Sequence, residues 1–188
     1  METTDILDFL RQKLKPKRLK HVLSVRDTAA SIAPQYGVDQ QQIELAALLH
    51  DCAKWMTDGE LLTTCQRHQI VPDLIEEQNP SLLHAKVGAT LASDRFGIVD
   101  RSVLQAVSVH TTGMAKMSTL DKVLFVADYC EPNRSYPGII KVRKLATVDL
   151  NRAAFEVARQ KLERQLVAKQ MIHPQSVTAF NDLLTQIS

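Results

Sequence analysis

Two apolar runs in this chain each end on a charged residue, and they restrict its fold more than any other feature. Ile43 to Leu49, followed by His50-Asp51-Cys52-Ala53-Lys54, reads as a helix that is apolar nearly all round, so its far end belongs in a core. Val123-Leu124-Phe125-Val126-Ala127 likewise runs straight into Asp128. A carboxylate buried without a counter-charge costs on the order of several kcal/mol, so the fold must bring positive charge to both acids. Lys54, one helical turn from Asp51, can supply that charge. A metal ion does so better, with His50 as co-ligand, because imidazole and carboxylate suit first-row divalent metals. An isolated His-Asp pair is more commonly a capped helix end with a local ion pair, so the choice turns on ligands elsewhere in the chain.

The rest of the chain is helical in period. An amphipathic helix is predicted over 5–14 and a second over 19–33, stopped near Pro34 and Gly37. Asp39 caps the helix that carries His50, with Gln42 as its capping-box partner. A short helix follows over 60–68, and a less regular stretch over 72–79. Asn79-Pro80 opens a helix that runs through His84 to Phe96, Asp100 caps the one ending at His110, and Ser118 with Asp121 caps 120–129. Residues 133–138 form a loop. A long charged helix over 148–169 and a short one after Pro174 complete an all-α chain with no visible domain boundary. Its 188 residues suffice for one domain with a real core.

Six histidines occur, and four of them, His21, His50, His84 and His110, lie among apolar neighbours in predicted helices. Each alone is more often a hydrogen-bonded core histidine than a ligand. His68 lies in polar sequence and His173 precedes a helix start, and neither is predicted to bind metal. Four histidines and two buried acids exceed the needs of one mononuclear site. They match two first-row ions sharing a carboxylate in a helical core.

Composition excludes several other roles. A formal charge of +2 is too small to imply a nucleic-acid polymer as partner, and no apolar run approaches the ~18 residues of a membrane span. Met1-Glu2-Thr3-Thr4-Asp5 is acidic, unlike a secretory leader. Three cysteines without CxxC spacing read as the reduced thiols of a cytoplasmic protein.

The ordered set His21, His50-Asp51, His84, His110, Asp128 resembles the HD-domain superfamily of metal-dependent phosphohydrolases. The local motifs are similar to those of its YqeK family: Leu48-Leu49-His50-Asp51-Cys52-Ala53-Lys54, Leu83-His84-Ala85, His110-Thr111-Thr112-Gly113, Met117-Ser118-Thr119-Leu120-Asp121-Lys122, and Ala127 to Arg134. The resemblance implies a single-domain HD-type helical bundle over 1–188, with the C-terminal helices (148–188) packing onto a metal-binding core. It also implies a bacterial symmetrical diadenosine-tetraphosphate hydrolase with a di-iron centre, acting on a dinucleoside polyphosphate to yield two ADP. By motif position, His21, His50, Asp51 and Asp128 would hold one ion, and His84 and His110 the other, with Asp51 bridging. The donor types alone admit manganese, cobalt or zinc as well as iron.

Two cations sharing Asp51 would turn a bridging water into hydroxide near neutral pH, for attack on the second phosphorus from one nucleoside. Lys54 and Arg134 join Asp51 as candidate catalytic residues. Lys54, Arg134, Thr111 and Arg18 are the candidate substrate contacts, since arginine matches phosphate with a two-pronged fork. An ion pair or solvated face explains Lys54, Arg18 and Arg134 structurally, and a C-cap explains Thr111-Thr112-Gly113. Two other readings stay open on the ligands alone: a different HD-type nucleotide phosphohydrolase (nucleoside mono- or triphosphate, or alarmone), and a non-catalytic helical binding module stabilised by metal. The exposed stripe of the last helices suits either solvent or a homodimer contact.

Overall fold

The computed structural model describes residues 3–187; Met1 and Glu2 of the acidic start, and Ser188 at the end of the expected domain, lie outside them. Among the described residues the chain is all-α, without a strand, as its periodicity predicts. The helices are α1 (Thr3–Lys13), α2 (Pro16–Ile32), α3 (Gln40–Leu49), α4 (Asp58–Arg67), α5 (Leu74–Gln78), α6 (His84–Phe96), α7 (Arg101–Val109), α8 (Thr119–Cys130), α9 (Ile139–Ala146), α10 (Leu150–Val167) and α11 (Pro174–Thr185), with 3-10 turns at Ala33–Tyr36 and Pro80–Leu83. None is long and apolar enough to cross a membrane.

The central element is α8. A capping box starts it, in which the Ser118 hydroxyl accepts from Asp121 N and the Asp121 carboxylate accepts from Ser118 N. Every residue from Leu120 to Ala127 is then buried. A helix with no solvent face needs neighbours on all sides, and α2, α3, α7, α9 and α10 pack around it. Buried Leu150, Ala153, Ala154 and Val157 of α10 and Leu183 of α11 belong to the same core as α2, α3 and α8. A smaller apolar cluster of Ala53, Leu61, Cys65, Leu83 and Val87 holds α4 against the start of α6.

Three departures from the predicted elements bear on the site. α3 and α7 stop at Leu49 and Val109, so His50 and His110 follow the last helical turn instead of lying within it. The helix predicted from Pro80 splits into a 3-10 turn and α6, because Pro80 and the residues after it close short i→i+3 bonds before the α-helical ladder begins at His84. Finally, α9 occupies a stretch for which no helix was predicted. Its apolar face, Ile139, Val142 and Ala146, is one helical stripe, but it is short and interleaved with Lys141, Arg143 and Lys144.

Gly138, at φ +81°, opens α9 in the left-handed region, where an L side chain would be strained. From α9, Arg143 donates to the carbonyls of Cys130, Glu131 and Arg134. It thereby fixes the loop that carries Arg134.

Glu156 on α10 is buried and accepts from Arg159, Gln160 and Lys141. Those bonds, Arg159 foremost, outweigh its burial and hold its carboxyl down from the ordinary 4.5 to about 2. A depressed acid stabilises the fold above its unfolded value and loses that contribution as the pH falls through its folded one. Glu156→Gln should therefore cost about 1–3 kcal/mol at pH 7, a gap that narrows between about pH 4.5 and 2, as followed by urea unfolding across that range.

Candidate metal centre

Four imidazoles and two carboxylates converge where the ends of α3 and α7, the start of α6, and the buried faces of α2 and α8 meet. The local backbone determines how each ring points. An α-helix leaves its last carbonyls without N–H partners. His50 and His110, each just past a helix end, use their Nδ1 protons to fill two of these: His50 donates to Ala47 O at 2.6 Å and His110 to Val107 O at 2.7 Å. His84 repeats the pattern from the 3-10 turn, with Nδ1 2.5 Å from Ser81 O. His21, inside α2, has no free carbonyl and donates instead to Glu131 Oε1 at 3.1 Å. All four Nδ1 protons point outward, and all four Nε2 lone pairs are left pointing inward.

The inward atoms meet each other, the two acids, the Thr111 hydroxyl and, at His21, the Arg134 guanidinium at 3.5 Å. Asp51 divides its two oxygens: Oδ1 faces His84 Nε2 at 3.3 Å and His110 Nε2 at 3.8 Å, while Oδ2 faces His50 Nε2 at 3.4 Å and His21 Nε2 at 3.7 Å. Asp128 Oδ1 lies 3.1 Å from His21 Nε2 and 4.0 Å from His50 Nε2. His84 Nε2 and His110 Nε2 are 3.2 Å apart, with the Thr111 hydroxyl within 3.3 Å of both but holding one proton to give. Buried His50 Nε2 has no hydrogen-bond partner among the described residues. Lone pairs in contact with lone pairs and carboxylates are unfavourable unless a cation lies among them. The donor set thus fits divalent metal, in two groups joined by Asp51: His21, His50 and Asp51, and Asp51, His84 and His110.

The charges respond to this crowding. Burial works against ionised Asp51 and Asp128, but the imidazoles around them, with Lys161 assisting at Asp128, hold both carboxyls well below the ordinary range. Burial, with His50 and His84 as neighbours, pushes the His110 imidazole well below its usual value, which keeps it neutral.

Lys54, which could have supplied the counter-charge to Asp51, does not lie against it. Residues 50–55 leave α3 as a chain of tight turns, which carries Lys54 off the face it would hold in a helix. Its ammonium lies 3.0 Å from His84 Nδ1 and 3.5 Å from Ser81 O. Since Nδ1 gives its own proton to that carbonyl, Lys54 and His84 share Ser81 O as acceptor. Arg18 pairs with Asp51 instead, 2.8 Å from Oδ2, and Arg134 reaches Asp128 Oδ1 at 3.2 Å. Both guanidiniums are partly exposed and form one wall of the array.

Two contributors had no role in the sequence reading. Glu131 is almost fully buried and orients His21; its sequence signal is an acid placed three residues after Asp128. Lys161 is half-buried, donates to Thr111 O at 2.7 Å, and lies 4.6 Å over the Phe125 ring, and desolvation lowers its ammonium to about 8. No local pattern marks it within a charged helix. Cys52 is buried with Sγ toward Gly88 O at 3.5 Å. His68 lies near Asp94. His173 caps α11 by accepting Gln175 N on Nδ1, which leaves Nε2 protonated and 2.8 Å from Asp73.

Two clefts open beside the array. One, about 560 Å³, reaches His21 and is lined by Lys17, Arg134 and Tyr136; the other, about 490 Å³, reaches His84 and is lined by Lys13, Lys54 and Trp55. Arg18 and Lys15 line both.

Residues 18–133, which contain every histidine and acid of the array, match the HD domain family model. A Halalkalibacterium halodurans protein named bis(5'-nucleosyl)-tetraphosphatase, symmetrical, is 39% identical over 180 residues, covering 96% of each chain. A Bacillus subtilis protein of the same name is 35% identical over 185 residues, 98% of this chain and 99% of that one. The fold overlays with a TM-score of 0.95 on a Clostridium acetobutylicum crystal structure described as a "predicted HD superfamily hydrolase involved in NAD metabolism", at 34% identity over 99% and 98% of the two chains. The chain belongs to the HD-domain family and, within it, to the YqeK family that includes these tetraphosphatases.

Proposed function

We propose that the protein hydrolyses diadenosine tetraphosphate symmetrically into two ADP, with two divalent cations held by its histidine–aspartate array. The observation that carries this reading is the inward turn of four imidazole lone pairs on both oxygens of Asp51, in a chain that shares 39% and 35% identity with proteins named for that activity. His21, His50, Asp51 and Asp128 would hold one ion and Asp51, His84 and His110 the other. Iron is the metal the family resemblance favours. Metal at such a site makes water nucleophilic near neutral pH and withdraws charge from phosphoryl oxygens.

The chain's own groups supply orientation and further charge. Arg18 and Arg134 stand against Asp51 and Asp128, where a cation bound to those acids would compete with them and release their forks for phosphate oxygens. Lys54, held near His84, and the Thr111 hydroxyl complete a cationic and donor-rich rim on the opposite side. Water adds to the second phosphorus from one nucleoside, and the bond from that phosphorus to the oxygen bridging to the third breaks. One ADP departs with that oxygen and the other carries the water's. A nucleotide substrate and three free, buried thiols suit a cytoplasmic protein.

The description of the Clostridium neighbour favours a second reading, hydrolysis of another nucleotide with a pyrophosphate link. Metal analysis of the untreated protein, with chromatography of the products from diadenosine tetraphosphate, separates the two. Two ADP and about two metal ions per chain support the proposal; AMP plus ATP, or no cleavage of this substrate, contradicts it.

Asp51→Ala and Asp128→Ala should lose bound metal and hydrolysis together, and full activity in either would be incompatible with the site. Lys54→Ala should keep its metal by elemental analysis while turnover falls about 10–100-fold; collapse of the metal content would make Lys54 structural. Glu131→Gln leaves His21 a weaker orienting acceptor, and a competition titration with a chelator should show metal affinity reduced about 10–100-fold.

A further inference from the structure

The proposed substrate is symmetric, yet the two clefts beside the metal centre are not equivalent. Both have the size of small-molecule sites, open at opposite ends of the array, and share Arg18 as a common wall. A substrate cut at its midpoint must extend one nucleoside diphosphate to each side of the reacting phosphorus. A third cavity, about 370 Å³ beside Lys161 and Arg164, is lined by neither Arg18 nor any of the four imidazoles.

The aromatic residues of the two clefts differ in how far the protein already uses them. Tyr136, on the His21 side, has Tyr129 at 5.4 Å and the Arg164 guanidinium 4.2 Å from its ring centre, and its hydroxyl accepts from Arg134. Trp55, on the His84 side, is half-buried with one edge against the core, and over its ring lies the exposed Lys13 ammonium at 4.3 Å. Its indole N–H finds no acceptor among the described residues. Met56 and Leu61 extend this apolar floor, and Lys15, Arg18 and Lys54 supply a cationic rim toward the metal centre. A flat apolar surface joined to a basic rim is the complement of a base joined to a diphosphate.

Building on the proposed activity, we infer that the two clefts take one nucleoside each, and that Trp55 binds the base of the half on the His84 side. Trp55 thereby makes the site prefer a dinucleoside polyphosphate over a nucleotide with a single base.

The test compares diadenosine tetraphosphate with adenosine 5'-tetraphosphate, which lacks the second nucleoside. In the metal-loaded enzyme, Trp55→Ala should raise KM for the first about ten-fold, while KM for the second moves less than three-fold, since the His21-side cleft still holds one base. Trp55→Phe, which keeps an aromatic face, should recover most of the loss, and thermal melting checks that both variants fold. Trp55 is the sole tryptophan of the sequence, so its emission reports the cleft directly. Saturation of the unmodified enzyme with the non-hydrolysable β,γ-methylene analogue of diadenosine tetraphosphate should quench it. An unchanged KM ratio in Trp55→Ala, or unaltered emission at saturation, overturns the assignment. An unmodified enzyme that cleaves neither substrate counts against the proposed activity, and quenching by the analogue then still decides whether a base lies against Trp55.

Discussion

Four imidazole lone pairs held facing two carboxylates in an apolar core are the constraint on which the rest of this structure depends. Such an arrangement gives up the hydration of six polar groups and returns few hydrogen bonds among them. The protein accepts it because every ring is fixed from behind, by Ala47 O, Ser81 O and Val107 O for three of them and by Glu131 for the fourth. In this array Asp51 has the most connected position. Its two oxygens face different pairs of rings, so one carboxylate would serve both cations of the proposed pair.

The fold supplies that geometry by stopping helices. α3 and α7 each end one residue before a histidine, so the unpaired carbonyls of a last turn become ring acceptors. The 3-10 turn before α6 does the same for His84. α8 brings Asp128 from a helix with no exposed face, and α9 clamps the loop behind it through Arg143. Arg18 and Arg134, the counter-charges the acids require, stand at the solvent edge where an anionic substrate would meet them.

Much of this was legible in the sequence because burying a charge is so costly. An aspartate after Val123 to Ala127, and another after an all-apolar helix, required partners, and the four histidines among apolar neighbours were the available ones. The caps at Asp39, Asp100 and Ser118 were legible for the same local reason, since each places a side-chain oxygen on unpaired helical N–H groups. What the chain order hid depends on contacts between distant residues or on backbone detail. Lys54 leaves the predicted helical face because the turns after α3 redirect it, and Arg18 takes its place by a contact across 33 residues. Lys161 reaches Thr111 across 50 residues. α9 went unseen because its stripe of buried positions, Ile139, Val142 and Ala146, spans only eight residues, with basic residues between.

Anomalous diffraction from crystals of the metal-loaded protein tests the central claim most directly. Two peaks are predicted, one bonded to His21 and His50 with Asp51 Oδ2, the other to His84 and His110 with Asp51 Oδ1. No anomalous density at Asp51, or density only beside Asp73 and His173, would contradict the account.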